Sequence, residues 1–145
     1  TNDANHISGP SRTGQELHFA IQQVIRNSQM EISGIDFVSA HGTATMYNDD
    51  MEARAFNLSK LEKIPVNSLK GYYGHTLGAA GLIESVISIH SLRENLLIPT
   101  LGFSEAGTAM PLHVIERLEN KKINNCLKTA SGFGGCNAAM MIIKE

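Results

Sequence analysis

The segment VNSLKGYYGHTLGAAGLIE at residues 66–84 constrains the chain more than any other. An apolar strand runs into a glycine-bounded turn carrying Lys70 and His75, and a helix of small residues follows with one carboxylate, Glu84, in its second turn. Gly74 permits a sharp turn, and Gly78, Ala79, Ala80 and Gly81 strip the helix of bulk so that another backbone can approach it. A rigid scaffold presents polar groups to a substrate from such a turn. His75 is expected at a helix N-terminus, where the dipole disfavours imidazolium and leaves a neutral ring that donates a hydrogen bond. The plainer reading of the same residues is a packed helix start with a polar cap.

The rest of the chain supplies the partners of that unit. Leu17, Ile21, Val24 and Ile25 recur at helical spacing over residues 15–27, with Gln22, Gln23 and Arg26 opposite, which predicts an amphipathic helix lying on a sheet. Short apolar runs at 35–40 and 64–68 read as strands, as do 113–115, 125–130 and 137–143, the last two joined by the glycine-rich residues 131–135. A helix is expected from about 48 to 59, where Asp49 and Glu52 have the spacing of a capping box; they read first as helix starters and second as a paired-carboxylate acid/base site. The helix of the 66–84 segment continues through Val86, Ile87, Ile89 and Leu92 to about Glu94. Residues 1–14 and 102–112 are dense in turn formers and read as loops. Strands alternating with helices before a closing hairpin predict an α/β fold, a mixed sheet with helices packed on it.

Several kinds of function are excluded early. A chain of 145 residues suffices for one domain with a real core, and its net charge of -2 gives no basic surface for nucleic acid. No apolar run approaches the roughly 18 residues of a membrane span. Cys126 and Cys136 have no paired spacing, which argues against a disulfide framework or a zinc knuckle and fits a reducing cytoplasm. The start at Thr1 shows neither an initiator methionine nor a signal peptide, so the chain is expected to be cut from something longer.

His41 and His75 occupy matching places, each after a strand and beside a glycine, and two such turns at the carboxyl ends of strands could converge on one pocket. No HExxH or clustered spacing supplies a third metal ligand, so no metal is expected. The segment Gly132-Phe133-Gly134-Gly135 joins two strands instead of opening a helix, and so is a tight turn exposing backbone N–H groups and one aromatic ring, not a dinucleotide fingerprint. Cys136 is expected to be an inert core thiol because its following neighbours look buried. Donors without a nucleophile make half an active site, with the other half expected upstream of Thr1.

These residues resemble a known family. His41-Gly42-Thr43-Ala44-Thr45 followed by Asn48, Asp49 and Glu52, Lys70 five before His75, the run 77–81, and Gly132-Phe133-Gly134-Gly135 with Asn137 are similar to the β-ketoacyl-(acyl-carrier-protein) synthases, specifically the elongating type of fatty-acid and polyketide pathways. Asp3-Ala4-Asn5-His6 resembles a loop opening the second half of those enzymes, so the likeness covers essentially the whole chain.

The resemblance implies a thiolase-like fold of two similar α/β halves, this chain being the C-terminal one and the full-length protein a homodimer. It implies that a cysteine of the N-terminal half accepts an acyl group from acyl carrier protein, and that malonyl-carrier then loses CO2 and attacks it, with no cofactor. His41 and His75 would hydrogen-bond the malonyl thioester oxygen, with Lys70 as the active-site lysine and Glu84 as its carboxylate partner. Thr43 and Thr45 would bond the phosphopantetheine arm, and Phe133, flanked by Gly132 and Gly134, would be the gate whose N–H completes an oxyanion hole. Two residues depart from the family: Ser131 stands for a usual phenylalanine, which bears on gate packing and acyl-chain preference, and Cys136 for a threonine. A non-catalytic partner resembling chain-length factors is the alternative, although His41, Lys70 and His75 are all retained. A biosynthetic thiolase is a third, disfavoured because Thr76, not proline, follows His75.

Overall fold

The structure, a computed structural model, describes residues 1–3 and 9–145. Helix α1 (Gln15–Ser28) is followed by strand β1 (Phe37–Ser39), helix α2 (Met46–Leu58), strand β2 (Pro65–Asn67), the single turn α3 (Lys70–Tyr73) and helix α4 (Ala80–Glu94). Strands β3 (Leu96–Leu97), β4 (His113–Val114), β5 (Glu119–Asn120), β6 (Asn125–Gly132) and β7 (Cys136–Ile143) complete the chain. The main sheet has the order β4-β2-β1-β6-β7, parallel throughout except for the β6–β7 hairpin, and β3 pairs antiparallel with β5 in a small second sheet.

The central strands are apolar on both faces because both faces are covered. Val38, in register with Leu127 and through it with Met141, joins Leu17 and Ile21 of α1 and Met51, Ala55 and Phe56 of α2 in one core. One residue earlier in register, Phe37, Cys126 and Ile142 turn to the other face and pack with Leu92, Leu97, Ile115 and Ile123.

Helix α4 has an inverted polarity. It buries Glu84, Ser88 and Ser91 along with Ala80 and Leu92, while Leu82, Val86 and Ile89 are exposed. Of this polar stripe Glu84 meets two lysines, and Ser88 donates back to the Glu84 carbonyl one turn earlier.

Several expectations change in detail. Lys70 does not sit in an open turn but starts α3, which Gly74 ends at φ 79°. His75 is followed by a 3-10 turn at Leu77–Ala79, and α4 begins only at Ala80, so no α-helix N-terminus lies directly behind its ring. Among the small residues of that segment, a Cβ at Gly81 would meet the Ala130 side chain at ordinary contact distance, whereas one at Gly78 would face open space. The first residues are not a free loop: the chain at Thr1 and Asp3 exchanges backbone hydrogen bonds with Asn137 and Gly135. A side chain at Gly135, where φ is 77°, would run into the Asp3 backbone. The expected family-like loop at Asp3-Ala4-Asn5-His6 falls largely on residues 4–8, outside the described residues.

Candidate active site

The site hangs from the carboxyl end of β1, the middle strand. Ala40 still donates its N–H to the Asn67 carbonyl of β2 at 2.9 Å, and there the chain leaves the sheet. The backbone groups of His41 and Gly42 are then each held by a side chain. Glu52 takes the His41 N–H at 2.8 Å and the Gly42 N–H at 2.7 Å; Lys70 donates to the His41 carbonyl; and Ser68 donates to the Gly42 carbonyl at 2.6 Å. Gly42, at φ 39°, has no room for a side chain, since a Cβ would come within 2.5 Å of Ser68.

This arrangement overturns the capping box. Helix α2 starts at Met46, three residues before Asp49, so both carboxylates lie inside the helix and reach backward. Asp49 accepts the Thr43 N–H at 3.2 Å, and Glu52, fully buried, accepts from His41, Gly42, Asn48 and Thr129. Burial pushes the Glu52 carboxyl up, and the amide donors pull it back. With its oxygens occupied by four donors, Glu52 is an anchor for the turn, not one of a pair of acid/base groups.

The two imidazoles meet edge to face, ring centres 5.2 Å apart at 81°. His41 is buried and its Nδ1 lies 3.3 Å from Lys70 Nζ, a donor; His75 is exposed and its Nδ1 accepts the Leu77 N–H at 3.1 Å. With Nδ1 an acceptor in both rings, the proton of each neutral imidazole is on Nε2. Burial, then the charges of Lys70 and Lys128, hold the His41 ring far below the ordinary histidine range, down to about 3.

Behind His41 lies a network that is larger than the expected Lys70–Glu84 pair. Lys70 reaches Glu84 Oε1 at 2.6 Å, and Lys128 of β6 reaches Glu84 Oε2, also at 2.6 Å. All three are buried. Lys128 is the member of this network the sequence reading missed. Its signal was present, a lysine between Leu127 and Thr129 in the buried middle of a strand. Cys126, two residues earlier, is wholly buried and its thiol is pushed up to about 12 by burial, which makes it inert.

Beside His75 a cavity of about 490 Å³ opens, lined by Gly42, Thr43, Ser68, Lys70, His75 and the 100–108 segment among others, with His41 outside its lining. The hydroxyls of Thr43 and Thr45 bond each other at 2.7 Å in the exposed turn ahead of α2. Gly132, Phe133 and Gly134 form the tip of the β6–β7 hairpin, with Phe133 84% exposed; they are not part of the network that joins His41, Lys70, His75 and Glu84. Cys136 contradicts its expectation: it opens β7 exposed, with Asn2 Nδ2 3.7 Å from its sulfur, because it lies on the solvent side of the alternating strand. Among the described residues no cluster of three or more metal-ligating side chains occurs, and no helix is long and apolar enough to cross a membrane.

Fold and site together define a class: an α/β unit that sets fixed N–H donors over a buried lysine–glutamate network at the carboxyl end of its central strand. More narrowly, the chain belongs to the β-ketoacyl synthase family, whose profile described as "Beta-ketoacyl synthase, C-terminal domain" matches residues 1–104. It is 32% identical over 144 residues to "3-oxoacyl-[acyl-carrier-protein] synthase 2" of Rhizobium meliloti (strain 1021), covering 97% of this chain and 34% of that protein. A type II polyketide synthase acyl-carrier protein in complex with its ketosynthase bound to the hexaketide matches at TM-score 0.94 and 28% identity, over 100% of this chain and 36% of that one. A ketosynthase in complex with its chain length factor from Xenorhabdus doucetiae matches at TM-score 0.91 and 29% identity, over 100% of this chain and 37% of that one. The fold is thus the thiolase-like one of ketosynthases. The chain spans about a third of the length of the curated relatives it matches.

Proposed function

We propose that this chain is the C-terminal half of a decarboxylating Claisen-condensing enzyme, which joins an acyl group to malonyl-carrier protein and yields a β-ketoacyl-carrier product. The observation that carries the reading is the histidine pair, two adjacent rings each with Nδ1 used as an acceptor and Nε2–H left for a substrate oxygen. When the malonyl carboxylate leaves as CO2, its bonding electrons become an enolate whose charge rests on the thioester oxygen. Donors fixed beforehand stabilise that charge without reorganising.

The enolate carbon then attacks the acyl thioester, forming a carbon–carbon bond as the carbon–sulfur bond breaks and the thiolate leaves. In this reading the thiolate is a cysteine of the N-terminal half. Lys70 and Glu84 hold His41 in its donor tautomer, and Thr43, which lines the cavity, together with Thr45, bonded to it, hydrogen-bonds the carrier's phosphopantetheine. The Phe133 N–H, in a turn loosened by Gly132 and Gly134, joins the cysteine's own N–H as an oxyanion hole. The similarity to a ketosynthase solved with its acyl-carrier protein supports the carrier as partner. The full-length protein is proposed to be a cytoplasmic homodimer that needs no metal or cofactor.

The test is made on the full-length protein. His41→Ala and His75→Ala should each slow CO2 release from malonyl-carrier by about 100- to 1000-fold while leaving much of the acyl-enzyme formation intact, because acyl transfer uses the backbone oxyanion hole. Mass spectrometry of the acylated protein alongside CO2 release separates the two steps. Decarboxylation within a few-fold of wild type in either variant overturns the donor-pair mechanism. Full-length protein that pairs with a ketosynthase but neither takes an acyl group nor releases CO2 is instead a chain-length-factor-like subunit.

A further inference from the structure

The second lysine behind His41 has a geometry of its own. Lys128 Nζ lies 2.6 Å from Glu84 Oε2, 2.6 Å from the Thr129 carbonyl, 3.1 Å from the Ser39 carbonyl and 3.2 Å from the Ala40 carbonyl. Three carbonyls accept from it, the Glu84 carboxylate pairs with it, and no donor faces it among the described residues, so the group is an ammonium; the lone pair of a neutral amine would face one of those oxygens. Burial lowers its pKa and the Glu84 carboxylate beside it raises it. Its backbone is level with Ser39 across the β1–β6 pair, and its side chain curls over the end of β1 to hold the last two carbonyls before His41.

We propose that Lys128 is a positioning residue for His41, clamping the chain immediately ahead of the ring and supplying, beside Lys70, a second cation that keeps the imidazole neutral. Its kinetic consequence rests on the condensing-enzyme reading above; its structural one does not.

The groups around His41 come from five places. Lys70 stands on α3, Lys128 on β6 and Glu52 on α2, His75 follows α3, and Glu84 on α4 binds both lysines. Two ammonium groups and two carboxylates balance. Replacing Lys128 by a neutral residue leaves the set net negative, which favours the imidazolium. A protonated His41 could no longer accept from Lys70 at Nδ1, so the ring would lose both its orientation and its neutral form.

The experiment follows selectively labelled imidazoles by NMR in full-length wild type, Lys128→Met, Lys128→Gln and Lys128→Arg, with CO2 release from malonyl-carrier measured over the same pH range. Wild-type His41 should stay neutral from about pH 8 to about pH 5. In the two neutral variants its titration should rise by about one to three pH units, and the acid limb of decarboxylation should move up with it. Lys128→Arg, which keeps the charge, should stay closer to wild type than Lys128→Met. A folded Lys128→Met or Lys128→Gln protein whose His41 titrates as in wild type overturns the proposal. So does a wild-type His41 that protonates near its ordinary value, an arm that needs no variant to fold. If wild type releases no CO2, the functional reading fails while the imidazole titration still judges Lys128.

Discussion

His41 carries a cost that its place in the fold makes measurable. Unfolded, the ring takes up a proton near pH 6.5; folded, it does so only near 3, because burial and two ammonium groups oppose the charge. Between those values the unfolded state binds more protons than the folded state. Stability present above pH 6.5 is therefore lost as the pH falls toward 3, by up to about 1.4 kcal/mol per pH unit. His41→Asn removes the titrating group, so its unfolding free energy should decline less steeply than that of wild type across this window. Denaturant titrations at a series of pH values check this, and parallel slopes would mean that His41 is not the group held neutral. At this scale the sequence was a partial guide. It placed the two histidines together because each was read as following a strand beside a glycine, but it could not show that Glu52 reaches back to the turn at 41–42, since that bond depends on where α2 packs. Lys128 escaped notice for a similar reason: its partners Glu84, Ser39 and Ala40 lie far away in sequence.

Among the elements, the β6–β7 hairpin and α4 behave differently from their sequence patterns. Ser131 faces Asn137 across the hairpin and donates to its Oδ1 at 2.8 Å, stapling the strands just below the exposed Phe133. Ser131→Phe removes that bond and places a ring beside the tip. In the full-length protein it should shift the range of acyl chains accepted, read as the product-length profile with a set of acyl-carrier substrates; an unchanged profile would separate the hairpin from chain access. Helix α4 was legible as a helix but not in its orientation, because its buried stripe of Glu84, Ser88 and Ser91 is the polar one. The long strand β7 was legible because Ala138 to Ile143 form an unbroken apolar run bounded by the glycine-rich turn. The short strand β5 was not, since Glu119 and Asn120 are exposed and polar and pair only because α4 delivers β3 beside them.

For the whole molecule, the α/β class and the mixed sheet were readable from the alternation of strands and helices, and the hairpin supplied the antiparallel pair of the main sheet. The proposed function makes a further demand at this scale. This chain by itself should form no β-ketoacyl product from acyl- and malonyl-carrier protein, because its buried thiol is inert and the proposed nucleophile belongs to another part of the enzyme. Turnover comparable with a full-length enzyme would refute that division and promote Cys136 to nucleophile.

The placement of the histidine turn on the middle strand has one more consequence. Turns at protein surfaces usually sample many shapes within nanoseconds, and a side chain carried on one inherits that blur. Here the amides of His41 and Gly42 are sealed by a buried carboxylate, and the strand before them is bonded on both edges. Releasing them requires the buried Glu52 carboxylate of α2 to give up both amides, and buried bonds of this kind open far less often than those of an exposed turn. The backbone that carries the ring is therefore held more steadily than an ordinary surface turn, and that steadiness is drawn from the packing of α2 against the strand before it.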